Sequence, residues 1–158
     1  MAIRNIVKRG DPTLTKHSRE VTEFDVRLHT LLDDMLDTLH KSRGVGIAAP
    51  QVGVLRRAVI IEPPDQAPLE LINPEILSVE GEEEGQEGCL SVPGVWGVVK
   101  RPTKVTCRAQ DRNGKRFTFT ATGYPARIVC HETDHLDGVL FTDKVEYFVD
   151  EDGEKPRK

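Results

Sequence analysis

The stretch YPARIVCHETDHLDG, residues 124–138, decides the fold of this chain, because it has the composition of a helix with defined ends. Pro125 suits a first helical turn, where its missing N–H costs no helical hydrogen bond. Gly138 suits the stop, since glycine readily adopts the backbone angles at which helices end. The sequence therefore predicts a helix over about residues 124–137.

Two histidines and a glutamate lie inside this helix, in the pattern His131-Glu132-Thr133-Asp134-His135. Residues i and i+4 lie one above the other on a helix face, so both imidazoles can reach one metal ion. Glu132 lies about 100° around the helix from His131, close enough to hold a water on that metal. The motif indicates a hydrolase, although a plain solvent-facing His-Glu cluster is an equal alternative on this motif alone.

Toward the N-terminus, residues 22–43 predict an amphipathic helix. Thr22 is the expected cap, Asp25 follows three residues on, and Gly44 follows the end. We interpret its apolar stripe as a packing face, not as a cofactor contact, because such stripes usually bury a helix. The stripe consists of Phe24, Leu28, Leu31, Leu32, Met35, Leu36 and Leu39.

Short β-type runs separated by proline and glycine lie between the helices. They span residues 58–62, 69–73, 76–79, 95–100, 105–109 and 116–120, and residues 111–114 predict a hairpin turn. The acidic residues 82–84 are expected to form a solvated face. This order predicts an α+β fold, with short antiparallel or mixed β-sheets around a central helix that carries HExxH.

Composition and length indicate one domain over residues 1–149 and a charged, disordered tail over residues 150–158. The chain has 158 residues, 37% of them hydrophobic, and no apolar run near the ~20 residues of a membrane span. Residues 1–9 show no signal peptide, so we expect a cytoplasmic protein. A net charge of −4 weighs against broad nucleic-acid binding.

A catalytic metal site needs a third protein ligand and one open position. Cys89 is a candidate because it follows a glycine-rich entry, from which a thiolate could be aimed at the helix. Cys107 alternates with apolar strand residues, and Cys130 points away from His131, so we interpret both as packed thiols. The remaining histidines, His17, His29 and His40, are expected at the surface.

At this point the chain resembles the bacterial-type peptide deformylase family. Three motifs carry the resemblance in order: GVGIAAPQVG at residues 44–53, EGCLS at 87–91 and HETDHLDG at 131–138. Further similarity extends from Ile6-Val7 to Thr142-Asp143. Two positions depart from common patterns, with Ile47 in place of leucine and Cys130 in place of glutamine.

The resemblance implies a metal centre and a catalytic acid. Cys89, His131 and His135 hold one divalent ion, with water in the fourth place, and Glu132 is the general acid and base. Family members commonly work with Fe²⁺, and Zn²⁺, Ni²⁺ or Co²⁺ can occupy the same ligands. Glu87 is expected to pair with Arg101 and brace the cysteine loop.

The resemblance also implies how the substrate is held. The Gln51 amide and the Leu90 backbone N–H stabilise the oxyanion, and Gly46 lies beside a substrate bound as an added β-strand. An apolar slot for the methionine side chain is expected, with ordinary core packing as the alternative for two of its residues, Tyr124 and Ile128. The slot comprises Val45, Tyr124 and Ile128, with Trp96 at the mouth.

The implied partner is the N-formyl-methionine end of nascent polypeptides, bound by a monomer. The acidic run Asp150-Glu151-Asp152-Gly153-Glu154 gives no support to ribosome docking through the tail. Two alternatives remain open: a general metallopeptidase or an amidase for another acyl group, and a structural metal module, which would normally have four protein ligands.

Overall fold

The computed structural model describes residues 2–154, and these residues form two helices and eight strands. The helices are α1 (Val26–Ser42) and α2 (Tyr124–Leu136). The strands are β1 (Gly46–Ala48), β2 (Ala58–Ile61), β3 (Leu69–Glu80), β4 (Glu83–Cys89), β5 (Val92–Arg101), β6 (Lys104–Gln110), β7 (Arg116–Thr122) and β8 (Val145–Val149). Short 3-10 turns occur at Pro12–Thr15, Ala49–Val52 and Phe141–Asp143.

Helix α1 begins later than the sequence predicts. Asp25 is the N-cap, since its side chain accepts a hydrogen bond from Leu28 N at 3.2 Å, so the expected cap at Thr22 is wrong. Arg43 closes the helix in a left-handed conformation, with its N–H directed at the carbonyls of Leu39 and His40. The apolar stripe packs as expected, and its buried members are Leu28, Leu31, Leu32, Met35 and Leu39.

The strands form two antiparallel sheets, one in the order β1-β2-β3-β6-β7 and one in the order β4-β5-β8. Of the predicted antiparallel or mixed sheets, the antiparallel form is confirmed; a parallel pairing occurs only as an isolated bridge between Arg19 and Arg56 among residues 2–154. The strands are also not all short, since β3 has 12 residues and β5 has 10.

Strand β3 continues through a position at which the sequence predicts a break. Asn73 takes a φ of 52°, and the register against β6 shifts between Ile72 and Glu75. The Asn73 side chain accepts from Val21 N and donates to Val21 O, both at 2.8 Å. This bulge accommodates Pro74, which has no N–H for the ladder, without ending the strand.

Strands β1, β4 and β8 were not predicted. Residues 82–84 are exposed as expected, but Glu83 already begins β4. Glycine and glutamate have low β-propensity, so this segment carries little local signal for a strand. The segment becomes a strand through its pairing with β5, which runs from Glu83↔Arg101 to Cys89↔Val92.

Helix α2 lies against β1, β2, β5 and β7 and carries the His131–His135 motif. Cys107 and Cys130 are buried in one cluster with Ala126 and Val129, as predicted for packed thiols. The predicted hairpin turn at residues 111–114 connects β6 and β7.

Residues 150–154 make local hydrogen bonds, and the disorder expected for the tail over residues 150–158 stays a prediction. Asp150 Oδ1 accepts from the backbone N–H groups of Asp152 (3.0 Å) and Glu154 (2.9 Å), and Gln86 donates to Glu151 O at 3.0 Å. These bonds give residues 150–154 local partners that their composition did not reveal. Residues 155–158 of the predicted tail lie outside the described residues. None of the helices within residues 2–154 is long and apolar enough to cross a membrane.

Candidate functional site

Three side chains from two distant parts of the chain meet in one place. One ligand atom each from Cys89, His131 and His135 lies within 4.8 Å of the others. Cys89 Sγ is 3.4 Å from His135 Nε2. The sulfur from β4 and the two imidazoles from α2 are therefore within reach of a single ion.

The hairpin of β4 and β5 aims the cysteine at the helix. The β4–β5 register shifts between Glu87 and Cys89, and the chain reverses through Leu90 and Ser91 before Val92 pairs with Cys89. A Cβ at Gly88 would overlap the ring of Trp96, so only glycine permits this close approach.

A buried carboxylate orients the first histidine. Glu87 Oε1 lies 2.8 Å from His131 Nδ1, and Arg101 donates through Nε (2.8 Å) and Nη2 (2.9 Å) to the two carboxylate oxygens. Burial opposes the charge on Glu87, but the hydrogen bonds and charges of Arg101 and His131 hold its pKa well below the usual range. The predicted Glu87–Arg101 pair is therefore present, and it leaves His131 Nε2 free to face the cysteine.

Arg127 completes this network, and the sequence reasoning missed it. Its Nη1 donates to Glu87 Oε2 at 2.7 Å and to Val99 O at 2.9 Å, and its Nη2 donates to Glu83 O at 2.9 Å. The residue is 6% exposed, so the guanidinium connects α2 to both strands of the hairpin inside the protein. The signal in the sequence that could have indicated this role is a single arginine in the otherwise apolar first half of α2.

The charges at this place fit a bound divalent cation. Burial lowers the pKa of His131, but Glu132, Cys89 and Glu87 outweigh it and raise that pKa well above the ordinary value. Burial and the neighbouring His131 charge lower the pKa of His135 well below it, which favours the neutral ligand form. The surrounding anionic groups thus favour positive charge at His131, whereas His135 is held neutral. A thiolate with two imidazoles is a donor set that suits Fe²⁺, Zn²⁺, Ni²⁺ or Co²⁺.

Glu132 is held beside the three ligand atoms without a strong partner. It is 4% exposed, and within residues 2–154 its Oε1 has no hydrogen-bond partner. Burial raises the pKa of Glu132 to about 7. A Cβ at Gly46 would lie 2.6 Å from Glu132 Oε2, so glycine in β1 leaves the space that this carboxylate occupies. The carboxyl group is therefore placed to exchange a proton with a molecule in the cleft.

Gln51 has its amide orientation set by the backbone. Its Oε1 accepts from Ala48 N at 3.0 Å, which leaves Nε2 to donate to Ser91 Oγ at 3.1 Å, 3.5 Å from Cys89 Sγ. The side chain is buried, so this uncharged donor is fixed toward the cysteine turn. Leu90, whose backbone N–H was predicted as the second donor, lies in that same turn.

A cleft of about 510 Å³ opens at these residues. All five residues predicted to contact substrate line it, namely Val45, Gly46, Trp96, Tyr124 and Ile128. Tyr124 is 48% exposed and is therefore no core residue, whereas Ile128 is 3% exposed and also packs in the core. Arg43, which the sequence reasoning did not consider, lines the same cleft.

The other histidines do not contribute to this site. His17 is exposed beside Asp137, and His40 is exposed beside Glu62. His29 is partly exposed, with Nε2 2.7 Å from Arg112 O, and does not line the cleft.

An α+β fold in which an HExxH helix faces a cysteine and a buried carboxylate defines a metallohydrolase type of site. The polypeptide deformylase family model matches residues 3–150, and the chain belongs to this family. Members of the family use a single divalent metal ion.

The similarity to named peptide deformylases extends over most or all of the chain. The chain is 55% identical over 158 residues to the peptide deformylase of Caldicellulosiruptor bescii, covering 100% of this chain and 95% of that protein. The peptide deformylase structure from Thermotoga maritima superposes with a TM-score of 0.90 at 36% identity, covering 92% and 99% of the two chains. A Met-Ala-Ser-bound peptide deformylase from Acinetobacter baumannii gives a TM-score of 0.87 at 35% identity, covering 90% and 98%.

Proposed function

We propose that this chain removes the formyl group from the N-terminal formyl-methionine of newly synthesised polypeptides and releases formate. The observation that carries the proposal is the meeting of Cys89, His131 and His135 beside the buried Glu132. Membership of the deformylase family and 55% identity to a peptide deformylase support it.

Cys89, His131 and His135 would hold one divalent ion, Fe²⁺ in the native protein, with Zn²⁺, Ni²⁺ or Co²⁺ able to use the same ligands. When bound, the ion supplies Lewis acidity toward the formyl carbonyl and toward water. Glu87 would keep the His131 ring in the ligating orientation through its contact with Nδ1.

Glu132 would carry the proton through the reaction. Its carboxylate would accept a proton from the attacking water and later donate it to the leaving amine. A pKa raised to about 7 by burial supports this role, because acid–base catalysis works best when the pKa lies near the working pH.

Gln51 Nε2 and the Leu90 backbone N–H would stabilise the negative charge that develops on the formyl oxygen. Gln51 is uncharged and is oriented by Ala48 N, so it can donate without competing for the metal. Removal of one such donor typically costs about 3–4 kcal/mol of transition-state stabilisation.

The peptide would bind as a further strand on the free edge of β1, the outermost strand of its sheet. Gly46 would lie beside the reacting end, and the methionine side chain would enter the slot formed by Val45, Tyr124 and Ile128, with Trp96 at its mouth. The peptide Met-Ala-Ser bound to the Acinetobacter baumannii relative supports binding of a short peptide in such a cleft.

At the level of the whole chain, we propose one catalytic domain over residues 1–149, active as a cytoplasmic monomer. Helix α2 would act as its central helix, and α1 as an amphipathic support. The partner is the formylated nascent chain, and the acidic residues 150–154 give no reason to add ribosome docking through the tail.

The test is a formate assay on metal-loaded protein purified without air. We expect formate from formyl-Met-Ala-Ser, and no hydrolysis of acetyl-Met-Ala-Ser or of the free-amine peptide. Glu132→Gln should keep the metal, which elemental analysis would show, and its rate of formate release should fall by about 10²–10⁴-fold. Equal cleavage of the acetyl peptide would favour a general amidase, and hydrolysis absent in both proteins despite bound metal would favour a structural metal module.

A further inference from the structure

Within residues 2–154, only one of the charged side chains that line the cleft is exposed to solvent. Four Asp, Glu, Lys or Arg residues line it, namely Arg43, Glu87, Arg127 and Glu132. Glu87 and Arg127 are buried and neutralise each other, and Glu132 is buried at the reacting end. Arg43 is exposed, and within residues 2–154 its side chain makes no hydrogen bond or ion pair.

The course of a bound peptide can be inferred from the cleft walls. The cleft is lined by residues 42–46, which end at Gly46 beside Glu132. It is not lined by residues 47–50, which follow Gly46 in the chain. A peptide whose formyl end lies at Gly46 therefore extends past residues 44 and 45, which precede β1, toward Arg43. Gly44 keeps this wall open beside the cysteine turn, since a Cβ there would lie 3.2 Å from Leu90 Cδ1.

The distances along a strand set which substrate residue meets Arg43. Each residue of an extended peptide advances about 3.3 Å, so its third and fourth residues lie about 7–10 Å beyond its first. Gly46 lies beside the formyl-methionine, and Arg43 precedes Gly46 by three residues, so their Cα atoms are at most about 11 Å apart. The third and fourth residues of the peptide then lie within reach of its long side chain.

We propose that Arg43 selects formylated peptides that carry aspartate or glutamate at their third or fourth residue; this inference rests on the proposed function. A guanidinium recognises a carboxylate through paired hydrogen bonds, and it repels lysine and arginine. No other solvent-facing charge lines the cleft among residues 2–154 to oppose this selection.

The experiment compares kcat/KM for formyl-Met-Ala-Glu-Ser with formyl-Met-Ala-Lys-Ser, and for the pair with Glu or Lys moved to the fourth position. For an exposed ion pair we expect the wild-type protein to favour the acidic peptide by about 3-fold in one of the pairs. Arg43→Glu should reverse the preference, Arg43→Gln should bring the ratio near unity, and added salt should weaken it.

Arg116→Glu is the matched control, because Arg116 is exposed on β7 at the opposite edge of the sheet and does not line the cleft. It changes the net charge of −4 by the same amount as Arg43→Glu. The proposal is overturned if the acid-to-base ratio is the same in wild type and Arg43→Glu, or if Arg116→Glu shifts it equally.

Peptide binding separates this inference from the proposed function. Trp96 is the single tryptophan and lines the cleft, so its fluorescence reports binding of Met-Ala-Glu-Ser and Met-Ala-Lys-Ser without turnover. Absence of formate from formyl-Met-Ala-Ala-Ser would contradict the deformylase activity. The charge preference in binding, and its reversal by Arg43→Glu, would still decide the role of Arg43.

Discussion

Glu87 and Glu132 are both buried beside the same histidine, with 6% and 4% exposure, and yet their surroundings drive their pKa values in opposite directions. Glu87 is held by two arginines and His131, which keep its pKa well below the usual range. Glu132 lacks such donors, and burial raises its pKa to about 7. Hydrogen-bond partners, not burial, thus separate a permanently charged brace from a group that can exchange protons.

A residue-scale prediction follows for the brace. Glu87→Gln should weaken metal binding by about 10–100-fold, because His131 loses the carboxylate that orients it. It should also destabilise the protein by about 3–5 kcal/mol, since Arg101 and Arg127 would remain buried without their anion. Chelator competition and urea denaturation measure the two effects.

The control for this substitution is Glu84→Gln, at an exposed position of the same strand. It should leave both the metal affinity and the stability within about 0.5 kcal/mol of wild type. Unchanged metal affinity in Glu87→Gln would contradict the orienting role.

At the scale of elements, α1 illustrates how a cap is chosen among neighbouring candidates. Thr22 and Asp25 both have suitable side chains, but only Asp25 meets an N–H of the first turn, that of Leu28. Local composition identifies the helix, while the path of the preceding chain decides where it begins. Here that path includes the hydrogen bond from Val21 N to the Asn73 side chain of β3, which ties the chain to the sheet shortly before the cap.

The two cap candidates can be separated by stability measurements. Asp25→Ala should cost about 1 kcal/mol in the free energy of unfolding, because an N-cap hydrogen bond is lost. Thr22→Ala, at an exposed position outside the helix, should stay within about 0.5 kcal/mol of wild type. The reverse order in urea denaturation would mean that the helix begins at Thr22 in solution.

At the scale of the whole molecule, the N-terminal segment fastens the elements that carry the site. Ala2 N donates to Asp34 of α1 at 2.7 Å, and Val7 N donates to Gln51 O at 2.7 Å. Arg9 N donates to Ser91 O in the cysteine turn at 2.8 Å. One extended segment therefore links α1, the glutamine turn and the β4–β5 hairpin.

The anchor of this segment predicts a pH-dependent stability. The hydrogen bond from Ala2 N, together with Arg4, lowers the pKa of Asp34 from its ordinary value near 3.8. Because the folded-state pKa is the lower one, Asp34 stabilises the protein fully above the unfolded value and loses this effect as the pH falls through the folded value. Asp34→Asn should therefore be less stable than wild type at pH 7, with the difference shrinking in strong acid.

Urea denaturation across pH measures this difference, with Asp37→Asn on the same helix as the control. Asp37 makes no hydrogen bond or ion pair within residues 2–154, so its variant should follow the wild-type profile. A difference between Asp34→Asn and wild type that does not depend on pH would contradict the charged anchor.

The sequence predicts some elements of this architecture well and others not at all. Both helices and the strands with β-branched runs were predicted within a few residues, because their periodicity is local. Strand β4 was missed, since its glycine and glutamate residues become a strand only by pairing with β5. For the site, the histidine pair came from helical spacing, whereas the roles of Gln51 and Leu90 came from family resemblance.

The sequence by itself determined that His131 and His135 share a helix face with Glu132 one step round it, because backbone hydrogen bonding within one helix sets that geometry. Only the tertiary structure decided that Cys89 meets them, that Arg127 completes the brace, and that Arg43 faces the cleft. These meetings depend on strand register and on packing between segments far apart in the chain, which spacing along the sequence does not encode.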